Sequence, residues 1–327
     1  MGFSRPGWRP EGLGPMRRRV LLVGATGAFG RRLAERLAAW PDLELVLAAR
    51  GEGALEALRE ALSGSAAQLE IACFDRRSPQ EIARLAPWAV VDAAGPFQGS
   101  DFVLARAAIA AGAHYVDLAD ARDFVAGFPS ALDAEAKAAG VTALTGASST
   151  PALSNAALDR LTDGWRAVDR VTIAISPGAR APRGLSVVRA ILSYAGRPVR
   201  VFRGGRWTQA RGWGLTRRLD FEPLGRRWVG LCETPDLDIV PARKAVREEA
   251  LFLAGLEQPL LHAGLWLLAW PVRLGLVPSL TGLARPLRWA AGLLAPLGSD
   301  RGGMLVSAQG VDAAGAPVRA SWRLWAE

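Results

Sequence analysis

The stretch VLLVGATGAFGR, Val20–Arg31, decides the fold. An apolar run ends in Gly24, Gly27 and Gly30, and a helix-like segment, RRLAERLAAW over 31–40, follows. The run reads as a buried parallel strand. The glycines allow a tight turn and close backbone approach. The helix start then offers unpaired N–H groups to a pyrophosphate. A second apolar strand, Leu43–Ala49, ends at Arg50, twenty residues after Gly30. A dinucleotide's ribose belongs there. An acidic residue would accept from the 2′-hydroxyl of NAD, whereas Arg suits a 2′-phosphate, so the cofactor expected is NADP(H). The turn residues expected to touch it are Gly24, Ala25, Thr26, Gly27, Ala28, Phe29 and Gly30, with Arg50.

The pattern continues outward from this turn. Leu69–Phe74 reads as a third strand ending at Asp75, which joins the cofactor set at the same edge. Ser78-Pro79-Gln80-Glu81 has the form of a capping box with proline at the first helical position. Ala89–Ala93 reads as a fourth strand, Asp101–Ala111 as a helix, Tyr115–Leu118 as a fifth strand, Ser130–Ala139 as a helix and Val141–Leu144 as a sixth strand. Six strands with intervening helices predict a doubly wound, Rossmann-type parallel sheet over 17–150. Nine of the twelve Trp lie beyond residue 150, where the alternation changes. Val168–Ile175 reads as a strand, 185–240 as short strand-like pieces, and Met304–Gln309 with Val318–Trp325 as a hairpin around Asp312–Gly315. Residues 151–327 are therefore expected to form a second, α+β domain for substrate binding or dimerisation.

Composition narrows the class. Half of the 327 residues are apolar, enough for a large core. Cys73 and Cys232 match no metal or redox spacing, so no metal site is expected and a reducing, cytoplasmic setting is. The net charge of +9 comes almost entirely from Arg, since Lys occurs only at 137 and 244. No basic run carries interleaved aromatics, so nucleic acid is not an expected partner. A basic surface does favour anionic cofactors and anionic membranes. Residues 1–16 read as a disordered leader, with Met16 as a second start. Arg17–Val23 imitates a signal peptide, but its apolar stretch is too short.

Pro259–Pro296 is apolar, lacks acidic residues and carries only Arg273, Arg285 and Arg288. Prolines at 259, 271, 278, 286 and 296 chop it, and its longest proline-free stretch, Leu260–Trp270, is too short for a span of about 20 residues. Short helices packed on the second domain, a homodimer contact, and a membrane-interface segment with Trp266, Trp270 and Trp289 at headgroup level all remain open as readings.

Taken in order, these residues resemble the saccharopine dehydrogenase-like oxidoreductases from about residue 18 onward. The GATGAFG turn is similar to that family's opening, and Leu47-Ala48-Ala49-Arg50 to its strand ending in Arg. Ala94-Gly95-Pro96-Phe97 resembles its cofactor-side turn, which implies that Ala94, Gly95, Pro96 and Phe97 touch the cofactor. His114-Tyr115-Val116-Asp117-Leu118 is similar to its fifth strand, and Gly146–Ser154 to its crossover into the second domain. Gly255-Leu256-Glu257 and Gly302-Gly303-Met304 resemble its hydrophobic members. Where many members continue with Thr-Gly-Glu, this chain has Ala119-Asp120, so the acid is shifted. The resemblance also implies a closing segment that returns to the first domain, either absent or beyond Glu327.

Catalytic residues are less legible. A Tyr with Lys four residues later, the short-chain reductase arrangement, is excluded because Tyr115 is followed at that spacing by Ala119 and Tyr194 by Pro198. His114 precedes the fifth strand and reads as a packing or surface histidine at the wrong end; His262 reads as a core or interface histidine. Asp117 either takes part in proton transfer or bonds loop backbone, and Asp120 lies near the expected cleft. Ser148, Ser149 and Thr150 either donate to a substrate carbonyl or the nicotinamide carboxamide, or cap the helix near Pro151. The expected function is hydride transfer between NADP(H) and a carbonyl or imine of a small, apolar substrate. The alternative is an NADP(H)-binding sensor without turnover, or a membrane-surface structural protein.

Overall fold

The computed structural model describes residues 17–77, 80–181 and 184–326. The leader expected over 1–16, and Ser78 and Pro79 of the capping box, lie outside the described residues. The chain divides into two compact units. The first holds residues up to Ala94, Val103–Tyr115 and Glu135–Thr142; the second holds Gly95–Phe102, Val116–Ala134 and Ala143 onward.

Sheet and helix alternate from the start: β1 (Arg18–Val23), α1 (Ala28–Leu37), β2 (Leu43–Ala49), α2 (Glu52–Ala61), β3 (Gln68–Cys73), α3 (Gln80–Leu85), β4 (Ala89–Asp92), α4 (Val103–Ala110), β5 (His114–Asp117), α5 (Arg122–Ala138) and β6 (Ala143–Leu144). The six strands form one all-parallel sheet in the order β3-β2-β1-β4-β5-β6. The order reverses beside β1, with β2 on one side and β4 on the other. A crevice opens at the carboxyl ends of strands at such a reversal. The central strands are apolar on both faces: Leu21, Leu22, Leu45, Val46, Leu47 and Val90 are inaccessible to solvent. That is why they read as continuous hydrophobic runs.

The second unit continues with a kinked turn over Ser149–Leu153, α6 (Ser154–Leu161), β7 (Ala167–Ser176), α7 (Leu185–Tyr194), β8 (Pro198–Arg203), β9 (Arg206–Arg211), β10 (Arg217–Asp220), β11 (Arg226–Leu231), α8 (Asp236–Lys244) and β12 (Glu249–Ala254). Then come α9 (Pro259–Leu268), α10 (Trp270–Arg273), a 3-10 turn at Thr281–Leu283, α11 (Ala284–Leu294) and the hairpin β13 (Gly302–Val311) and β14 (Pro317–Ala326). Its eight-stranded mixed sheet runs β10-β11-β12-β7-β13-β14, with β8 joining β12 and β9 joining β8. Trp213, Phe221 and Phe252 are among the largest side chains sealed in its core.

Two local expectations change. The helix expected to begin at Ser130 begins eight residues earlier and runs through Pro129. Phe124, Val125 and Phe128 are all buried, so packing outweighs the hydrogen bond that proline cannot donate. Residues 185–194 and 236–244 are helices, not strand-like pieces. In α7, Leu192 and Tyr194 are drawn into the core, and this tertiary demand overrides the β-branched Val187-Val188 pair. The apolar segment breaks into short helices at its prolines, and no helix among the described residues is long and apolar enough to cross a membrane.

Candidate functional site

The glycine turn is built from backbone. Gly24 follows β1 at a φ of +82°, a conformation that strains any L side chain. A Cβ placed there would lie 2.7 Å from the Ala94 nitrogen. The Gly24 and Ala25 N–H groups donate to the Ala48 carbonyl at 2.8 and 3.1 Å, and Ala93 N–H to the Val23 carbonyl at 2.9 Å. Gly30, inside α1, is pressed on this turn: a Cβ there would stand 2.0 Å from the Gly24 carbonyl oxygen. Gly27 differs, because a Cβ there would meet only the Gly24 oxygen, at 3.1 Å. Its conformation, φ −74° and ψ 167°, is open to any residue. The backbone geometry of the turn itself therefore demands glycine at 24 and 30, and leaves Gly27 free to serve whatever approaches from outside.

What faces outward there is suited to an anion. Gly27 is the N-cap of α1, and no side chain caps the helix. The unsatisfied N–H groups of the first turn and the helix dipole together favour negative charge. Thr26, Gly27, Ala28 and Phe29 are exposed, while Ala25 is buried and offers only backbone. Arg50 follows β2, is exposed, and makes no ion pair among the described residues; its carbonyl accepts from the Cys73 thiol at 3.3 Å. Asp75 accepts from the Arg77 N–H at 2.9 Å, an Asx-type turn that shapes the loop after β3.

One group at this edge escaped the sequence reading. Asp92 ends β4 with no solvent exposure, accepting from the Ala94 N–H at 2.9 Å, the Tyr115 hydroxyl at 3.3 Å and Arg76 Nη2 at 2.6 Å. Burial raises its pKa, while the Arg76 charge and the hydrogen bonds oppose the rise. Asp92 thus pins Ala94 against Gly24. The only signal in the sequence was a lone acid closing an apolar strand.

The remaining sequence-selected residues, His114 apart, belong to the second unit. Gly95 and Pro96 are exposed, but the Phe97 ring is buried and packs 5.3 Å from Phe124. Its side chain belongs to an aromatic core, so this turn offers backbone. Asp117 is sealed and accepts at Oδ1 from the Ala119 N–H, the Gly146 N–H and the Thr145 hydroxyl at 2.8–2.9 Å. Of its two readings, loop bracing is the one seen. The Ser148 hydroxyl donates to the Thr150 carbonyl at 2.9 Å, Ser149 is exposed, and no side chain caps α6. The capping reading of Ser148–Thr150 is thereby corrected: the kinked turn over Ser149–Leu153 puts Leu153, which has no hydroxyl, at the N-cap. His114 sits at the amino end of β5, its Nδ1 accepting from the Thr142 N–H at 3.0 Å and its ring 5.0 Å from Trp88. It packs at the end opposite the glycine turn.

Asp120 stands apart from these. It is partly exposed and touches the Gln98 amide at 3.4 Å, and burial raises its pKa. Nearby, the Tyr194 hydroxyl donates to Cys232 Sγ at 2.9 Å. Burial pushes the Cys232 thiol up to about 12 and the Tyr194 phenol well above its ordinary value, with the Asp120 charge adding to both shifts. Neither ionises near neutral pH, so a thiolate nucleophile is not available there. A groove of 650 Å³ elsewhere in this unit is lined by Arg170, Arg203 and Arg217, each paired with Glu248 or Glu249. Among the described residues no cluster of His, Cys, Asp or Glu could hold a metal.

Residues 20–144 match the family described as the saccharopine dehydrogenase NADP binding domain. The matched stretch runs from the first strand through the glycine turn to β6. Its fold follows saccharopine dehydrogenase (L-Glu forming) from Saccharomyces cerevisiae, solved in an apo, histidine-tagged form: TM-score 0.64, 14% identity, 94% of this chain and 85% of that one. GenD2 from gentamicin A biosynthesis, solved with NAD, is 17% identical over 96% of this chain and 75% of its own, with a TM-score of 0.45. No curated protein matches the chain. The saccharopine dehydrogenase-like resemblance and the doubly wound sheet read from the sequence both stand.

Proposed function

We propose that this protein is an NADP(H)-dependent oxidoreductase of the saccharopine dehydrogenase-like type, moving a hydride to or from a carbonyl or imine carbon of a small, apolar molecule. The observation that carries the reading is the uncapped N-terminus of α1 at Gly27, together with an exposed Arg50 that no carboxylate engages among the described residues. The α1 amides would hold the pyrophosphate and the Arg50 guanidinium the 2′-phosphate. The bound nicotinamide would supply or accept the hydride. Of the acids read as catalytic candidates, Asp120 is partly accessible and burial raises its pKa, which suits a proton donor. Asp117, by contrast, is committed to its loop.

Titration of the protein with NADPH and NADH at one ionic strength tests the cofactor. A hydrogen bond to a charged group is worth about 1.5–3 kcal/mol, so NADPH should bind roughly ten- to a hundredfold more tightly. Arg50→Ala should erase that margin, and Arg50→Asp should reverse it by repulsion. Equal affinities in the wild type would mean that Arg50 does not read the phosphate. A carbonyl and imine panel following NADPH absorbance tests turnover. Tight binding without turnover across the panel would favour the second reading, a nucleotide-binding sensor, which the absence of a Tyr–Lys pair supports.

A further inference from the structure

Ten of the twenty exposed large apolar side chains among the described residues lie between Leu260 and Leu297, a density that scattered surface leucines do not reach. Along α9 and into α10, His262, Leu265 and Ala269 face the core, while Leu260, Leu267 and Trp270 recur on the outward side at helical spacing. The next segment, 274–278, exposes Leu-Gly-Leu-Val-Pro without a break, Leu276 at 73%. In α11, Ala284 is buried, and Arg285, Arg288, Trp289 and Leu293 point outward, Trp289 at 70%.

Charge narrows what covers this face. No acidic residue occurs between Glu257 and Asp300, and the only charges there are Arg273, Arg285 and Arg288. Arg285 and Arg288 are exposed and make no ion pair among the described residues. Arg273 lies 5.5 and 5.3 Å from the ring centres of Trp266 and Trp270, which form an edge-to-face pair. A second copy of the chain is poorly matched. A two-fold contact sets a patch against itself, and would bring arginines together with no carboxylate in the segment to offset them. Lipid phosphates supply the missing negative charge, and the acyl boundary accepts Trp and Leu.

We propose that the face formed by residues 260–297 is a docking surface for an anionic lipid bilayer. It lies in the interface without crossing it: Trp270, Leu276, Trp289 and Leu293 enter the headgroup–acyl boundary, and Arg285 and Arg288 engage phosphates. The proposal is independent of cofactor binding and of turnover.

Flotation of the full chain with phosphatidylcholine vesicles, with and without phosphatidylglycerol, tests it. The protein should float with the anionic vesicles and lose that association as salt is raised. Leu276→Glu and Trp289→Glu should abolish flotation. Arg285→Gln with Arg288→Gln should weaken it roughly tenfold or more. These side chains are exposed, so melting temperature and NADPH affinity should be unchanged; if a glutamate variant melts early, the double glutamine variant and the wild-type salt dependence decide. Absence of flotation with anionic vesicles at low ionic strength would overturn the proposal. So would a stable dimer in light scattering that Leu276→Glu converts to monomer while vesicle binding persists, since the face would then belong to a second copy.

Discussion

Gly30→Ala probes the packing that holds the glycine turn in shape. The added methyl would sit 2.0 Å from the Gly24 carbonyl oxygen and 2.8 Å from its carbon, both backbone atoms that cannot rotate away. Overpacking of this kind costs about 1–3 kcal/mol. Alanine's better helix propensity returns up to about 1 kcal/mol, since Gly30 lies within α1. A clash this close with fixed backbone belongs at the upper end of that cost, so the net loss is about 2 kcal/mol, or a fall in melting temperature of roughly 4–8 °C at the usual 2–4 °C per kcal/mol for a chain of a few hundred residues. Gly27→Ala is the internal contrast. Its methyl meets only one atom, at 3.1 Å, in a backbone conformation that alanine adopts readily. Its melting temperature should stay within about 1 °C of wild type. NADPH affinity should nevertheless fall in Gly27→Ala, because the methyl occupies the approach to the α1 amides. Thermal melts with and without NADPH read both quantities. A Gly30→Ala protein that melts with wild type would refute the close packing of helix on turn. A Gly27→Ala protein that binds NADPH with wild-type affinity would refute the turn as the pyrophosphate cradle.

Two buried titratable groups give pH-dependent predictions. His262 is buried against Trp213 with both ring nitrogens unpartnered, and burial lowers its pKa to about 4. The stability that goes with a neutral imidazole is present above its unfolded value of about 6.5 and is lost as pH falls towards 4. His262→Phe should therefore flatten the drop in melting temperature between pH 6.5 and 4; an unchanged acid limb would exonerate His262. Asp236 accepts from Ser154 at 2.5 Å and Asn155 at 3.1 Å, and burial raises its pKa to about 6. A raised carboxyl pKa gives stability below the unfolded value of 3.8 that is lost as pH climbs through 6. Asp236→Asn keeps both acceptor contacts at Oδ1 and should stabilise the protein at pH 8 relative to wild type while changing little at pH 4. Destabilisation at pH 8 but not at pH 4 would show that the carboxylate is needed in its charged form.

The first strand, the glycine turn and the helix after it were legible because they are local. A run of apolar residues covered on both faces, then glycines where backbone meets backbone, then a helix-forming stretch, leaves few arrangements open. The same locality placed β2 over Leu43–Ala49 and Arg50 immediately after it. Prolines likewise announced the short helices of 259–296, because a missing N–H is a property of the residue itself.

Side-chain roles set by distant partners were not legible in this way. Asp117 carried two readings, proton transfer and loop bracing, and the bonds from Gly146 and Thr145, nearly thirty residues on, are what distinguish them. Asp92 drew no notice until Arg76 and Tyr115 closed around it. The helix read from Ser130 starts at Arg122, because Phe124 and Phe128 carry α5 through Pro129 by burial. For the segment 260–297, sequence disclosed that it is apolar and basic; only the tertiary structure decided which leucines and tryptophans fill the core and which face solvent. Local propensity acts within a few residues, whereas burial and the satisfaction of polar groups are summed over the whole folded chain. The sequence alone thus determined the turn and its strand–helix frame, and the folded chain decided what each acid and each exposed apolar side chain is there to meet.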